Sequence, residues 1–147
     1  MKVVSGQLAK VGSGTVAVNQ AGKSFIKFDT IEIGDTILQN LRTARSVGDY
    51  VRDGLGTNVT LYVQGKFLLG VKLASGKIYY WKRSLIAPVL MIIPAIAGGL
   101  VAAAATQNGF FGILGFVVVY ALAANSEISH VLGQSKLAAE GGVGLKS

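Results

Sequence analysis

Apolar and polar residues alternate along the first half of the chain, and then the alternation stops. "GTVAVN" (14–19) sets Val16 and Val18 on one face, "SFIKFD" (24–29) sets Ile26 and Phe28 opposite Lys27, and "NVTLYVQ" (58–64) sets Val59, Leu61 and Val63 opposite Thr60, Tyr62 and Gln64. "KFLLGVKL" (66–73) places Phe67, Leu69, Val71 and Leu73 on one face and Lys66, Gly70 and Lys72 on the other. A period of two predicts half-buried strands. Glycine-bearing turn signals separate them: "GSG" at 12–14, "NQAGK" at 19–23, "GLGTN" at 54–58, "QGK" at 64–66 and "ASGK" at 74–77. One segment departs from the pattern. In "DTILQNLRTAR" (35–45), Ile37, Leu38, Leu41 and Ala44 fall at helical spacing after Asp35 as a cap, which predicts a short helix. Six or seven strands with room for that helix predict a small β-barrel or a curved β-sheet domain over residues 1–83.

After Arg83 no Lys, Arg, Asp or Glu occurs for about forty positions, until Glu127. The run divides at "TQNG" (106–109) into 85–105 and 109–124. The first matches the ~20 residues that a helix needs to cross a hydrocarbon core of ~30 Å, and the second is somewhat short of it. Together they predict a two-helix transmembrane hairpin, 84–126, followed by a short tail, 127–147. Pro94 inside the first span removes a backbone donor, so a kink is expected near Leu90 and Met91. Small residues recur along both spans: Ala95, Gly99 and Ala103 on the first, Gly109, Gly112 and Gly115 on the second. Such stripes let helix backbones approach closely, within one hairpin or between copies.

The seam between the two halves reads "YYWKR". Tyr79, Tyr80 and Trp81 have the amphipathic rings of a membrane interface, and Lys82 and Arg83 form a cationic flank of the kind found on the cytoplasmic side. Composition sharpens this picture: 51% of residues are hydrophobic and 14% charged, against roughly a quarter charged in an ordinary soluble domain. Residues 1–83 hold twelve Lys and Arg against five Asp and Glu, a net charge of +7, while the rest of the chain is neutral. That excess places both termini in the cytoplasm, with an integral protein of a bacterial inner membrane as the expected setting. "MKVVSGQLAK" has one lysine and no long apolar stretch, so no signal peptide is expected; the absence of cysteine agrees with a cytoplasmic bulk. In the tail, Ile128, Val131 and Leu132 fit one helical face up to about Gly133, and "EGGVGLKS" is expected to be mobile.

Candidate chemistry is sparse. "AGKS" (21–24) lacks the earlier glycine of a phosphate-binding loop and reads as a hairpin turn. Asp49 and Asp53 have no further acidic residue or histidine beside them, and His130 is the single histidine. No catalytic residue, metal or cofactor is expected. The expected function is a non-catalytic membrane adaptor or sensor, whose basic β-domain binds an acidic protein, ligand or anionic lipid through Lys66, Lys72 and Lys77. The hairpin would anchor it and form homo-oligomers. The alternative is a membrane-active effector or channel component whose helices assemble and perturb the bilayer. Nucleic acid ranks lower as a partner, since no binding signature accompanies the interleaved cations and aromatics.

Overall fold

A computed structural model describes residues 1–18, 24–83 and 86–146. The "NQAGK" turn therefore lies outside the described residues, as does the first residue of the 85–105 span. The element order is β1 (Lys2–Val11), β2 (Gly14–Val18), β3 (Ser24–Ile33), β4 (Thr36–Ala44), α1 (Arg45–Asp53), β5 (Asn58–Gln64), β6 (Phe67–Lys72) and β7 (Ile78–Trp81). Then come α2 (Ile86–Leu90), α3 (Ile92–Thr106), α4 (Gly109–Ala139) and β8 (Val143–Leu145). By compactness the chain forms two units, one of Met1–Arg83 with Gly133–Ser147, the other of Ser84–Leu132.

The first unit is one sheet ordered β2-β3-β1-β5-β6-β7-β8, with β4 pairing β3 and β6. Its turns follow the sequence signals: Gly65 between β5 and β6 and Gly76 between β6 and β7 have φ of 58° and 82°, a region that side chains disfavour. The sheet curls until β4 meets β6 through the short parallel pair Arg42↔Phe67, the Arg42 N–H donating to the Lys66 carbonyl at 2.8 Å and the Thr43 hydroxyl to the Leu68 carbonyl at 2.8 Å. A barrel needs a staggered ladder at that join. The domain is a curved sheet, and the barrel alternative is not realised.

The helix expected over 35–45 is also replaced. Residues 36–44 form β4, paired along β3, and the helix α1 starts at Arg45. In β3 the buried positions are Ile26 and Phe28, then Ile31 and Ile33, so alternation slips by one residue near Asp29–Thr30. β4 slips opposite it, between Leu38 and Leu41, where Asn40 takes φ 54°. Asparagine tolerates that left-handed conformation, and the slip leaves two buried leucines three residues apart, which imitates a helical period. α1 then buries Val47, Gly48 and Val51. A Cβ at Gly48 would lie 2.9 Å from Ile26 Cδ1, so glycine lets the helix approach the sheet.

The main core joins Leu8, Phe28, Ile31, Leu61, Val71 and Trp81 with α1. A second cluster, Tyr62, Leu69, Ile78, Tyr80 and Leu137, covers the other face. β6 is therefore buried on both sides, Leu68 in the first cluster and Leu69 in the second. Leu137 comes from the end of α4, and beyond it β8 adds in parallel to β7 through Tyr79↔Val143, Tyr80↔Gly144 and Trp81↔Leu145. The expectation of a mobile end fails here, because Val143–Leu145 satisfies the backbone edge of β7.

In the second unit the expected break occurs at Met91, between α2 and α3. Pro94 stands in the first turn of α3, where its missing N–H has no helical partner to lose. Among the described residues no single helix is long and apolar enough to cross a membrane; Gly109–Leu122 and Glu127–Ala139, bent by 54°, meet that requirement only together.

Candidate functional site

The helical unit places small residues inside and large ones outside. A Cβ at Gly99 would lie 2.8 Å from the Gly112 carbonyl oxygen and 3.1 Å from Phe116 Cβ; one at Gly112 would lie 2.8 Å from Ala103 Cβ. At Gly115 it would meet Ala102 Cβ at 2.8 Å and the Gly98 carbonyl at 3.3 Å. Backbone on backbone is the contact. Ala95 is fully buried, whereas Gly109 has nothing within 4 Å of a built Cβ and stands apart from the packing. Gly98 and Ala102 belong to the contact although the single stripe through Ala95, Gly99 and Ala103 did not include them; their own spacing of four residues was the available signal.

On the outside, Val101 is 69% exposed, Ile113 68% and Leu122 79%. An open apolar cleft of about 310 Å³ lies along Ile96, Gly99, Leu100, Ala103, Gly112 and Phe116. The connecting turn satisfies its own polar groups: Thr106 donates from Oγ1 to the Ala102 carbonyl at 2.7 Å, and Asn108 Oδ1 accepts from the Phe110 N–H at 2.9 Å as a helix cap. Gln107 ends α3 in the left-handed region, φ 50°.

The aromatic seam is built into the sheet unit. Tyr80 and Trp81 are buried at 7% and 3% exposure, and Tyr79 is half-buried, stacked on Tyr50 with ring centres 3.8 Å apart. Trp81 meets Phe25 edge-on at 5.2 Å. The Arg83 guanidinium lies 4.4 Å from the centre of the Trp81 ring and 5.6 Å from that of Phe67, within cation–π range. Lys82 is exposed. The backbone here is held from the far end of the chain: Lys82 N–H donates to the Leu145 carbonyl at 2.8 Å and Arg83 N–H to Gln134 Oε1 at 2.8 Å.

Lys66, Lys72 and Lys77 are all exposed, yet they do not form one patch. Lys72 pairs with Ile78 next to Lys77, and the Leu73 N–H donates to the Lys77 carbonyl at 3.0 Å. Lys66 sits at the opposite end of β6, about 20 Å away at ~3.3 Å per residue. Lys72 borders an open cavity of about 360 Å³ with Ser5, Asn58, Thr60, Leu73 and Gly76. In it the Ser5 and Thr60 hydroxyls are 2.9 Å apart. Elsewhere on the sheet Lys10 pairs with Glu32 at 3.6 Å and Lys27 with Asp29 at 3.8 Å, exposed pairs of small energetic weight.

Tyr62 donates to Glu140 Oε2 at 3.3 Å. Burial first, then the charge and hydrogen bond of Glu140, raise the phenol above the ordinary tyrosine range. Asp49 and Asp53 are exposed on α1, His130 is buried on α4, and no group of three His, Cys, Asp or Glu able to hold a metal occurs among the described residues. Comparison with known protein families, curated proteins and solved structures finds no match, so any functional reading rests on this geometry.

Proposed function

We propose that the chain is a non-catalytic adaptor or sensor anchored in a membrane by its helical pair. One observation carries the reading: α3 and the first part of α4 are free of charged residues, close-packed through glycine, and lined outside with exposed Val, Ile, Leu and Phe. Water rewards the burial of large apolar side chains, so a water-facing pair would be inverted relative to this one. Lipid does not discriminate in that way, and helices there associate through close backbone approach and dispersion. α3 rises about 22 Å at 1.5 Å per residue, short of a ~30 Å core; α2 and local thinning of the bilayer make up the difference.

The sheet unit supplies recognition, with both termini on the cytoplasmic side. Lys72 and Lys77, side by side at one end of the β6–β7 pair, attract an anionic lipid headgroup or an acidic protein, each cation near a charged surface contributing roughly 1 kcal/mol. The outer faces of the hairpin then hold copies together.

Membrane fractionation of the expressed chain, followed by an alkaline carbonate wash, tests the anchor. The protein is expected to stay in the washed pellet and to need detergent for release. Recovery in the supernatant as a monodisperse species would overturn the reading.

A further inference from the structure

Beside the apolar cluster that receives Leu137, the outer face of the sheet turns polar. Ser5 of β1 pairs with Thr60 of β5, and Thr60 with Lys72 of β6, so the three stand in one row across adjacent strands. Residues directly opposite in a ladder project to the same face, and so do residues two apart along a strand. Asn58 therefore shares that face, out of line with the row. The intervening Val4, Val59, Leu61 and Val71 turn to the main core. The row and Asn58 line the open cavity of about 360 Å³, to which the β6–β7 turn adds Leu73 and Gly76.

The lining is rich in donors and carries no counter-charge. The Ser5 and Thr60 hydroxyls lie 2.9 Å apart, and whichever of them donates, the other keeps its own proton for a ligand. Asn58 brings an amide N–H₂, and Lys72 an ammonium that donates only. No Asp or Glu lines the cavity, and among the described residues Lys72 makes no ion pair; the pairs on this sheet are Lys10 with Glu32 and Lys27 with Asp29. Over the next row of the same face, Glu140 is held by the Tyr62 hydroxyl at 3.3 Å.

Lys72 repels a metal ion from such a place and favours an anion. A carboxylate holds its oxygens in one plane, whereas these donors come from a row and from Asn58 outside it. A phosphomonoester presents three terminal oxygens and a charge of roughly −1.5 to −2, and charge-assisted bonds to it are the strong ones. Small-molecule sites have volumes of about 300–1,000 Å³, so there is room here for a small substituent beside the phosphate.

We propose that the cavity bordered by Ser5, Asn58, Thr60 and Lys72 is a binding site for a phosphomonoester, carried by a lipid headgroup or by a free phosphorylated small molecule. Resting on Lys72 as the anion-attracting residue of the reading above, the site narrows a surface charge to a shaped cradle. Lys72 supplies the charge, and the hydroxyl pair with Asn58 orients the terminal oxygens. All four residues belong to the first compact unit, so the site does not depend on the helical anchor.

Full-length protein in uncharged detergent, at about 0.15 M salt to screen diffuse attraction, is titrated calorimetrically with glycerol 3-phosphate, and with acetate and dimethyl phosphate as anion controls. Saturable binding of glycerol 3-phosphate is expected, about tenfold or more tighter than either control. Lys72→Gln should weaken it by about tenfold and Thr60→Val by about threefold, while Thr60→Ser, which keeps the hydroxyl, retains it. Lys10→Gln removes an equal charge at the far end of β1 and should leave binding unchanged. A second arm compares co-purification of the chain with phosphatidic acid, a phosphomonoester lipid, and with phosphatidylglycerol, a phosphodiester. A preference for phosphatidic acid that Thr60→Val abolishes supports the site with a headgroup as its ligand; saturation by glycerol 3-phosphate without that preference supports it with a free ligand. Absence of saturable binding up to about 10 mM, together with no preference between the lipids, overturns the proposal. Equal weakening by Lys72→Gln and Lys10→Gln also overturns it, since diffuse charge then accounts for the affinity. Attraction to acidic vesicles that persists in either failure leaves the broader anion recognition standing, and its loss removes both.

Discussion

In the sheet unit Leu8, Phe28, Ile31 and Leu61 are fully buried, while on the helical pair Val101, Ile113 and Leu122 stand more than two-thirds exposed and glycines fill the contact. Both regions are rich in the same apolar residue types. On the membrane reading proposed above, they differ in the solvent for which their surfaces are built: curled strands remove large side chains from water, whereas the two helices meet through small residues and leave large ones exposed. The first arrangement draws its stability from area buried, the second from close backbone contact. Phe28 and Gly112 are thus counterparts, each essential where the other would be misplaced.

The strongest way to break this comparison is to hollow the sheet core. Phe28→Ala should cost about 3–5 kcal/mol in urea unfolding of the sheet unit, without altering retention in the washed membrane pellet. A loss below about 1 kcal/mol would remove Phe28 from the core. Next, Val101→Lys separates the two solvents directly. At an exposed site in water it should change stability by no more than about 0.5 kcal/mol, but near a bilayer centre it costs about 2.5–3.5 kcal/mol and should deplete the washed membrane fraction. Full retention would show that α3 does not face lipid.

A smaller effect sharpens the helical side. Gly112→Leu should lower stability in detergent by about 1–3 kcal/mol, because its side chain collides with Ala103 and the α3 backbone. Gly109→Leu, with open space around it, should be close to neutral in the same thermal scan. Equal losses in both would mean that helix propensity, not contact, is being measured. On the sheet surface, Lys72→Gln with Lys77→Gln should weaken association with acidic vesicles by roughly 1 kcal/mol per cation at low salt. Lys66→Gln alone is expected to do less, since it stands at the other end of β6.

The smallest effect lies at the Tyr62–Glu140 contact. Because the folded state holds the Tyr62 proton more tightly than the unfolded chain does, the native state binds more protons at high pH, and stability falls as pH rises above about 10. Tyr62→Phe should flatten that alkaline loss and cost under about 1 kcal/mol at neutral pH, the net worth of one long hydrogen bond. An unchanged alkaline slope in pH-dependent melts would assign the loss to other groups.

Local patterns in the chain determined what local physics controls. Period-two alternation marked β2, β3, β5 and β6 as strands, although Leu69 and Val71 of β6 fall in different clusters and not on the one face expected; glycine at 65 and 76 marked their turns, Pro94 marked the helix break, and the recurrent small residues marked Gly99, Ala103 and Gly112 at the helix contact. Each of these depends on a residue and its near neighbours along one element. Tertiary structure decided the rest. β4 looked helical because the paired slip at Asp29 and Asn40 sets Leu38 and Leu41 three residues apart on one face, and that slip exists only through pairing with β3. Trp81 and Tyr80 carry interface-like side chains but pack into two cores, since β7 is covered by α1 on one face and by Leu137 on the other. The return of Val143–Leu145 to Tyr79–Trp81 joins residues more than sixty positions apart, a contact that periodicity within either segment cannot encode.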